Sequence, residues 1–159
     1  MKEFYVICDN IRSLENIGSI FRTADALGVS KIFLCGISGT PPHHKISKTA
    51  LGAEKTIPFE HHKQIGRLID KLKKEKVQLV ALEQDLPARR AGKKAVLYTK
   101  FKPKFPVALI IGNEVKGISK TILKKCDKII FLPMSGQKES LNVSVAFGVA
   151  GYEINKGRK

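Results

Sequence analysis

The sequence of 159 residues contains only three cysteines and seven prolines. No apolar run is long enough to span a bilayer, and the N-terminus lacks the charged-then-apolar pattern of a secretory signal. The cysteines are odd in number, lack CxxC spacing and each adjoin an apolar segment, which predicts reduced, mostly buried thiols at Cys8, Cys35 and Cys126. These absences indicate a soluble, cytoplasmic protein.

Several catalytic signatures are missing as well. There is no GxGxxG after a strand and no GxxxxGK[ST], so dinucleotide and P-loop nucleotide sites lack their usual signatures. The segment GISGT (36–40) is not a GxSxG nucleophile elbow, because Gly39 directly follows Ser38. The four histidines form two adjacent pairs without spaced cysteines or carboxylates, and loop positions explain them better than a zinc site. No metal is therefore predicted.

Positive charge, by contrast, is abundant. Twenty-nine Lys and Arg stand against fourteen Asp and Glu, and a net charge of +15 makes a polyanion the natural partner. The segment 88–105, ARRAGKKAVLYTKFKPKF, contains no acidic residue and interleaves its basic residues with three rings, at Tyr98, Phe101 and Phe105. Cations for phosphates and rings for unstacked bases suit a single-stranded RNA surface. A solvated loop whose rings pack inward explains the segment equally well.

Strand-like and helix-like segments alternate along the chain. Short apolar segments typical of strands buried on both faces occupy residues 3–8, 31–36, 56–59, 77–83, 107–112 and 128–133. Between them, apolar residues with helical spacing run from Ile17 to Leu27, before Gly28 as a helix stop, and from Ile65 to Leu72. The alternation predicts one α/β domain with a mostly parallel sheet and helices on both faces.

Two polar insertions interrupt this apolar pattern first. ENIGSIFRTA (15–24) offers Asn16 as a helix cap and Arg22 one and a half turns later. LIIGNEVKGIS (109–119) ends a buried strand with glycines, which let a ligand approach the backbone beyond the carboxyl end of a sheet. Taken alone, each has a plain structural explanation: a helix cap with a surface arginine, and a turn that needs glycine.

A third insertion opens an apolar helix. In LPMSGQKESLNVSVAFGV (132–149) we expect Ser140 to cap a helix that continues to Asn155, with Asn142 and Ser144 near its start. Beyond Ser144 the segment is apolar all round, which is typical of a helix buried on every side. Polar groups there need partners, since each unpaired buried group costs about 1–3 kcal/mol. A ligand or a second subunit is therefore expected at this helix start.

In this order and spacing, the three insertions resemble the signature motifs of the SPOUT methyltransferases, specifically the SpoU or TrmH family of RNA ribose methyltransferases. NIGSIFRTA resembles the first motif, LIIGNEVKGIS the second and IFLPMSGQKESLNVSVAFGVAGYE the third, so the resemblance spans Asn16 to Glu153. It implies an α/β fold with a deep C-terminal trefoil knot, an exception to the rule that chains avoid knots. It also implies a homodimer with active sites at the subunit interface.

The same resemblance implies S-adenosylmethionine as the cofactor, held largely by backbone groups. The residues implied to contact it are Leu82, Glu83, Gly112, Asn113, Gly117, Leu132, Ser140 and Leu141. Those implied to surround the transferring methyl group are Asn16, Arg22, Glu114, Ser140 and Asn142. Because a guanidinium hardly deprotonates in proteins, we interpret Arg22 as an electrostatic clamp on the adjacent phosphate and the developing charge of the 2′-oxygen, reaching the other subunit's cofactor.

The resulting hypothesis is a minimal catalytic domain, residues 1–159, without the separate N-terminal RNA-binding domain that many relatives carry. It methylates a ribose 2′-hydroxyl of tRNA or rRNA, and a basic cluster holds the RNA, at Arg89, Arg90, Lys93 and Lys94. One rival hypothesis is a non-catalytic RNA-binding module, which explains the charge but not the polar motif residues together. The other is a nucleotide-dependent oxidoreductase, which fits the α/β pattern but lacks the phosphate fingerprint.

Overall fold

The computed structural model describes residues 2–84 and 94–159. Within these ranges the strands are β1 (Phe4–Asp9), β2 (Lys31–Cys35), β3 (Phe59–His62), β4 (Gln78–Leu82), β5 (Ala95–Leu97), β6 (Val107–Ile111) and β7 (Lys128–Phe131). The helices are α1 (Leu14–Leu27), α2 (His44–Ala50), α3 (Ile65–Lys74), α4 (Lys120–Lys125) and α5 (Val143–Lys156). Among the helices of the described residues, none is long and apolar enough to cross a membrane.

These seven strands form one sheet in the order β3-β2-β1-β6-β4-β7-β5, and all neighbouring pairs are parallel. In its centre Leu109 of β6 lies opposite Val6 of β1 on one side and Val80 of β4 on the other. Strand β6 is buried at every position, as expected for a parallel strand covered on both faces. Strand β7 lies between β4 and β5, two strands that precede it in the chain.

An apolar layer covers each face of the sheet. On one face α1, α2 and α5 contribute fully buried side chains such as Phe21, Ile46 and Phe147. On the other face the layer is completed by α3 and α4, with Leu68 and Ile122 among the buried residues. The predicted α/β class, with a parallel sheet between helices, is therefore confirmed.

Two strands differ from the prediction. The third strand occupies 59–62 rather than 56–59, because Pro58 has no N–H for a ladder and its carbonyl accepts a hydrogen bond from the Ile32 N–H. Ile57 gives the predicted segment its strand-like character, since it is buried in the core outside the strand. The sequence pattern does not predict β5, whose three half-buried residues lie at the sheet edge and follow a basic run.

Helix α1 begins before the predicted cap. Its N-cap is Ser13, whose hydroxyl accepts a hydrogen bond from the Asn16 N–H at 3.1 Å. Gly28 ends the helix, as predicted, in the left-handed conformation with φ 63°. Because Asn16 lies inside the first turn, its side chain is available for contacts outside the helix.

The three cysteines are buried and free, as predicted. Burial raises the pKa of Cys35 and Cys126 to about 12, and it raises the pKa of Cys8 as well. The thiols are therefore structural, apolar members of the core.

Helices α1 and α2 touch at Gly18, where a side chain has no room. A Cβ atom there would overlap the Thr49 hydroxyl and the Ile46 carbonyl. We expect Gly18→Ala to lower the free energy of unfolding by about 1–3 kcal/mol, measured by urea denaturation, since the helices must move apart. Gly66→Ala in α3 is the control: its Cβ meets nothing within 4 Å, so stability should stay unchanged or rise by up to about 1 kcal/mol. Equal destabilisation by both changes would contradict this contact.

Candidate functional site

Loops that follow three neighbouring strands meet at the carboxyl edge of the sheet. The segments after β4, β6 and β7, together with the start of α5, surround a cavity of about 990 Å³. Open α/β sheets bind ligands at this edge. Apolar side chains line one part of the cavity, and its uncharged and acidic polar side chains are Glu83, Gln84, Asn113, Glu114, Glu139, Ser140 and Asn142.

Most residues predicted to contact a cofactor line this cavity. They are Leu82, Glu83, Gly112, Asn113, Gly117, Ser140 and Leu141. Leu132 does not line it: its side chain is 5% exposed and packs in the core layer of α1 and α5, directly after the buried end of β7. The chain thus brings together three loops that are far apart in sequence.

The loop after β6 is closed by its own asparagine. The Asn113 side-chain oxygen accepts hydrogen bonds from the N–H groups of Val115 and Lys116, at 3.0 and 2.9 Å. Its side-chain amide donates to the Asn10 carbonyl after β1, at 2.8 Å. This asparagine therefore shapes a tight turn and fixes it to the neighbouring strand.

Glycines let the same loop pack closely. Gly117 has φ 65°, a conformation that favours glycine, and an added Cβ would lie 2.5 Å from the Glu83 carboxylate. That carboxylate also accepts a hydrogen bond from the Ile118 N–H at 2.9 Å, which ties the loop to the end of β4. At Gly112, an added Cβ would lie 2.7 Å from the carbonyl carbon of Gly117. Gly112 is thus required by close backbone packing, and Gly117 is favoured by its left-handed backbone conformation.

The Glu114 carboxylate is held at the N-terminus of α1. One oxygen accepts a hydrogen bond from the Arg12 N–H at 3.1 Å, and the other from the Ser13 N–H at 3.1 Å. Burial opposes ionisation, but these hydrogen bonds outweigh it and hold the pKa of Glu114 below its ordinary value. Glu114 is therefore ionised at neutral pH and is a weak proton acceptor.

Glu114→Gln should reveal this charge through the pH dependence of stability. Because folding lowers the pKa of Glu114, its carboxylate stabilises the fold at neutral pH, and this contribution is lost as the pH falls through the folded-state value. We expect the variant to be less stable at pH 7 by less than about 1 kcal/mol, since the group is solvent-exposed. Denaturation below about pH 4 should show a smaller difference. An equal difference at both pH values would mean that the charge contributes nothing.

A chain of hydrogen bonds joins the three polar insertions. The Asn142 amide donates to the Asn16 side-chain oxygen at 3.1 Å, and the Asn16 amide donates to Glu114 at 3.4 Å. Glu114 and Asn142 also line the cavity, so these hydrogen-bonded side chains form part of its wall. Three of the five residues predicted around the methyl group are therefore in direct contact.

Helix α5 is capped by Asn142 and not by Ser140. The Asn142 side-chain oxygen accepts hydrogen bonds from the N–H groups of Ser144 and Val145, at 2.9 and 3.3 Å, and from the Ser144 hydroxyl at 2.6 Å. Ser140 lies before the helix, exposed, on the cavity wall. The predicted cap is thus two residues too early, because serine and asparagine are equally good caps and the sequence offers both.

Gln84 is a site residue that the sequence prediction omits. Its side-chain oxygen accepts a hydrogen bond from the Leu141 N–H at 2.7 Å, which ties the segment before α5 to the end of β4. This contact orients the amide, so its nitrogen points the other way, where it is buried and has no hydrogen-bond partner among the described residues. A buried donor without an acceptor is costly, and an acceptor on a bound ligand would satisfy it. The sequence signal is only its position directly after a strand.

Helix α5 is buried on one side only within the chain. Ala146, Ala150 and Ile154 are buried, whereas one stripe of larger apolar side chains is exposed. We define this α5 stripe by its residues and exposed fractions: Val145 (52%), Val149 (40%) and Tyr152 (56%). Their spacing of four and three residues places them on one helix face. The predicted burial on every side is therefore wrong for the single chain.

Arg22 lies apart from the hydrogen-bond chain. It is exposed and does not line the cavity of its own chain. On a regular helix it lies about 120° around α1 from Asn16. Its neighbour Thr23 approaches Gly148 of α5, so Arg22 borders the contact between α1 and α5.

Of the predicted RNA-binding cluster, Arg89, Arg90 and Lys93 lie outside the described residues. Lys94 lines the cavity, and its ammonium donates to the carbonyls of Lys124 and Cys126 at 3.0 and 3.1 Å. The remaining lysines on the cavity wall are absent from the sequence prediction, namely Lys116, Lys120 and Lys124.

The rings of the segment 88–105 pack inward. Phe101 is 9% exposed, and Tyr98 and Phe105 are partly buried against the same apolar layer as α1 and α5. These three rings therefore serve the core, and the inward-packing alternative holds for them.

No metal centre is formed by the described residues: within 2–84 and 94–159, no three His, Cys, Asp or Glu side chains are grouped closely enough to hold an ion. The rings of His43 and His44 stack with centroids 4.7 Å apart, and His43 caps α2. His62 lies 2.9 Å from the Glu60 carboxylate. The predicted loop position holds only for His43, because His44 begins α2 and both His61 and His62 lie in β3.

Proteins of a known family are similar to this chain in sequence. The model of the SpoU rRNA methylase family matches residues 3–152. YacO of Bacillus subtilis (strain 168), named as a member of the TrmH family of tRNA/rRNA methyltransferases, is 33% identical over 98% of this chain and 59% of its own length. The chain thus spans about three fifths of the length of the curated relatives it matches.

Solved structures share its fold. The SpoU methyltransferase AviRb from Streptomyces viridochromogenes, in complex with AdoMet, superposes with a TM-score of 0.86 at 26% identity, over 99% of this chain and 61% of that one. The A. aeolicus TrmH/SpoU tRNA modifying enzyme superposes with a TM-score of 0.84 at 30% identity, over 99% and 76%. With its parallel sheet, its three joined motifs and a family match over nearly its whole length, this chain belongs to the SpoU rRNA methylase family.

Proposed function

We propose that this chain is a cytoplasmic RNA methyltransferase that uses S-adenosylmethionine to methylate a ribose 2′-hydroxyl of tRNA or rRNA. The observation that carries the proposal is the hydrogen-bond chain from Asn142 through Asn16 to Glu114 on the wall of the cavity. AviRb, which has a similar fold, binds AdoMet, and the A. aeolicus relative is a tRNA modifying enzyme. The net charge of +15 suits a polyanionic substrate.

The residues present fit this cofactor. A volume of about 990 Å³ exceeds what a nucleoside derivative needs, and the buried Gln84 amide offers a donor that no described residue accepts. Leu82 and Ile111 supply apolar surface for a purine. When bound, S-adenosylmethionine supplies an electrophilic methyl group on a positively charged sulfur.

The protein's own side chains orient the reacting groups and hold charge in place. The side chains of Asn16 and Asn142 are each fixed by donating and accepting hydrogen bonds, so they hold one orientation, and orientation supplies much of the rate in such a transfer. Glu114 keeps its negative charge in place, and its lowered pKa makes it unsuited to remove the hydroxyl proton. The clamp on the phosphate and the 2′-oxygen is assigned to Arg22.

Two measurements test the proposed function. Titration calorimetry after dialysis against a chelator should show saturable S-adenosylmethionine binding, because the described lining of the cavity groups no set of metal ligands. Mapping of 2′-O-methylation in total RNA, with and without the gene, should show one nucleotide that depends on it. Absence of cofactor binding refutes the proposal, whereas binding without any gene-dependent RNA methylation favours a non-catalytic RNA-binding module.

We also propose a two-fold homodimer through the α5 stripe. A two-fold interface uses the same patch on both chains, and the stripe is a continuous apolar patch on a helix that also carries Gly148. Arg22 borders the contact between α1 and α5, so dimerisation there would bring the partner's Arg22 toward the other chain's cavity.

Val149→Glu should break this dimer. Symmetry would bury two carboxylates, so we expect the dissociation constant to rise at least ~100-fold and methyl transfer to fall with it. Sedimentation equilibrium at micromolar concentration measures the first effect. Leu51→Glu is the control, since Leu51 is 65% exposed directly after α2, away from the stripe, and should leave the dimer intact. A monomeric parent protein, or full activity of monomeric Val149→Glu, contradicts the proposal.

The knot is part of the same proposal. Its support is the insertion of β7 between β4 and β5, which places late residues between strands formed earlier in the chain. The hydrogen bond from the Leu141 N–H to Gln84 then ties the segment after β7 back to the end of β4.

A further inference from the structure

Helices α3 and α4 cover the face of the sheet opposite α1, α2 and α5. An ion pair joins them, with the Lys125 ammonium 2.9 Å from the Asp70 carboxylate. Leu68 and Ile122 point to the sheet, so the other sides of both helices face solvent. We define the α3–α4 face by its exposed basic residues: Arg67, Lys71, Lys73, Lys74, Lys120 and Lys124.

Like charges are stacked along this face. Arg67, Lys71 and Lys74 follow each other at spacings of four and three residues, and Lys120 and Lys124 at a spacing of four. Like charges at these spacings repel each other and destabilise a helix. Asp70, between the two helices, is already bound to Lys125. Lys71 shares a cleft beside β1 and β2 with Glu3, Glu60 and Glu75, so the positive charge of this face depends on Arg67, Lys74, Lys120 and Lys124. A polyanion bound to the face would relieve this repulsion.

The α3–α4 face continues into the cavity. Lys120 and Lys124 belong to both, because they line the cavity beside Lys94 and Lys116. The Lys94 ammonium is fixed on the Lys124 carbonyl at 3.0 Å, which holds positive charge at the end of α4. A strand that places one nucleotide at the cavity would bring neighbouring phosphates within reach of α4 if it leaves on this side.

Neither helix carries an aromatic residue, so the face offers no platform for base stacking. Lysine and arginine bind phosphate oxygens regardless of base sequence. We propose that the α3–α4 face binds the RNA phosphate backbone next to the nucleotide that enters the cavity. This inference rests on the proposed RNA methyltransferase function, and it assigns RNA binding to a surface outside the segment 88–105.

The test compares two charge-matched double variants of the full chain. Arg67→Glu/Lys74→Glu changes the α3–α4 face without touching the cavity wall. Lys102→Glu/Lys104→Glu changes net charge equally on exposed residues that flank the buried ring of Phe101, on the side of α1 and α5. The probe is a fluorescein-labelled RNA stem-loop, and its Kd is measured by anisotropy at several salt concentrations.

The face variant should raise Kd at least ~10-fold near physiological salt and lower the log–log salt slope by about 0.7–0.9 for each lost phosphate contact. The control variant should keep the parent's slope. Equal losses in both variants would assign the effect to net charge or to the segment 88–105 and not to the face, and they would overturn the proposal, as would an unchanged face variant. S-adenosylmethionine binding should be unchanged in both. If the parent chain shows the expected slopes but methylates no RNA, the α3–α4 face stands and the proposed function fails.

Discussion

Arg22→Ala should slow methyl transfer by ~100-fold or more while the affinity for S-adenosylmethionine stays unchanged. Losing one group that stabilises charge only as the reaction proceeds typically costs about 10²–10³-fold in rate. The cofactor site stays intact because Arg22 is exposed and does not line the cavity of its own chain. Single-turnover kinetics at saturating RNA, with calorimetry for the cofactor, separate the two effects. Arg22→Lys keeps the charge and should recover part of the rate.

Mixing two inactive variants tests whether Arg22 acts across the dimer. In a mixed dimer of Arg22→Ala and Asn142→Ala chains, one cavity has its own Asn142 and an intact Arg22 from the other chain. Equal mixing after unfolding and refolding should therefore restore about one quarter of the parent's active sites. If Arg22 serves its own cavity, mixing restores nothing. A parent-like rate of Arg22→Ala alone would contradict the assignment of the clamp.

Gly112→Ala should abolish S-adenosylmethionine binding, with at least a ~100-fold loss of affinity. The new Cβ would lie 2.6 Å from the Ile118 side chain and 2.7 Å from the carbonyl carbon of Gly117, and the backbone cannot yield as a side chain can. The loop after β6 must then open between Gly112 and Gly117, which also costs about 1–3 kcal/mol of stability. Calorimetry and urea denaturation measure the two losses.

Gly136→Ala is the matched control for this change. It lies in the segment between β7 and α5, and an added Cβ meets nothing within 4 Å. We expect parent-like affinity and stability from it. Parent-like affinity of Gly112→Ala would mean that the loop around Gly112 does not shape the cofactor site.

The central strands could be predicted because burial on both faces requires an apolar residue at every position. β6 is covered on both faces, so all its positions are apolar and β-branched residues dominate. Edge strands obey weaker rules: β5 needs only three half-buried residues, and β3 starts one residue after Pro58. The choice of strand partner at an edge depends on distant parts of the chain, which local periodicity does not contain.

In the site, too, residues with a local sequence pattern could be predicted, and those fixed by distant contacts could not. Glycines and asparagines at strand ends mark a polar edge, and the structure brings Asn16, Glu114 and Asn142 together there. The position of the α5 cap could not be predicted, since Leu141 is fixed by Gln84 from another part of the chain. Gln84 itself has no distinguishing pattern, because its importance comes from a buried amide nitrogen with no acceptor among the described residues. A missing hydrogen-bond acceptor of this kind can be recognised only from the structure.

The place of β7 between β4 and β5 also orders events during synthesis. The sheet cannot close at its centre until β6 has left the ribosome, because β6 pairs with both β1 and β4. Pairings between such distant segments form slowly. A nascent chain that still lacks β7 and α5 carries open strand edges on β4 and β5 and an uncovered apolar surface on α1. The interval before β7 and α5 are released is therefore when this chain is most prone to aggregate or to need a chaperone.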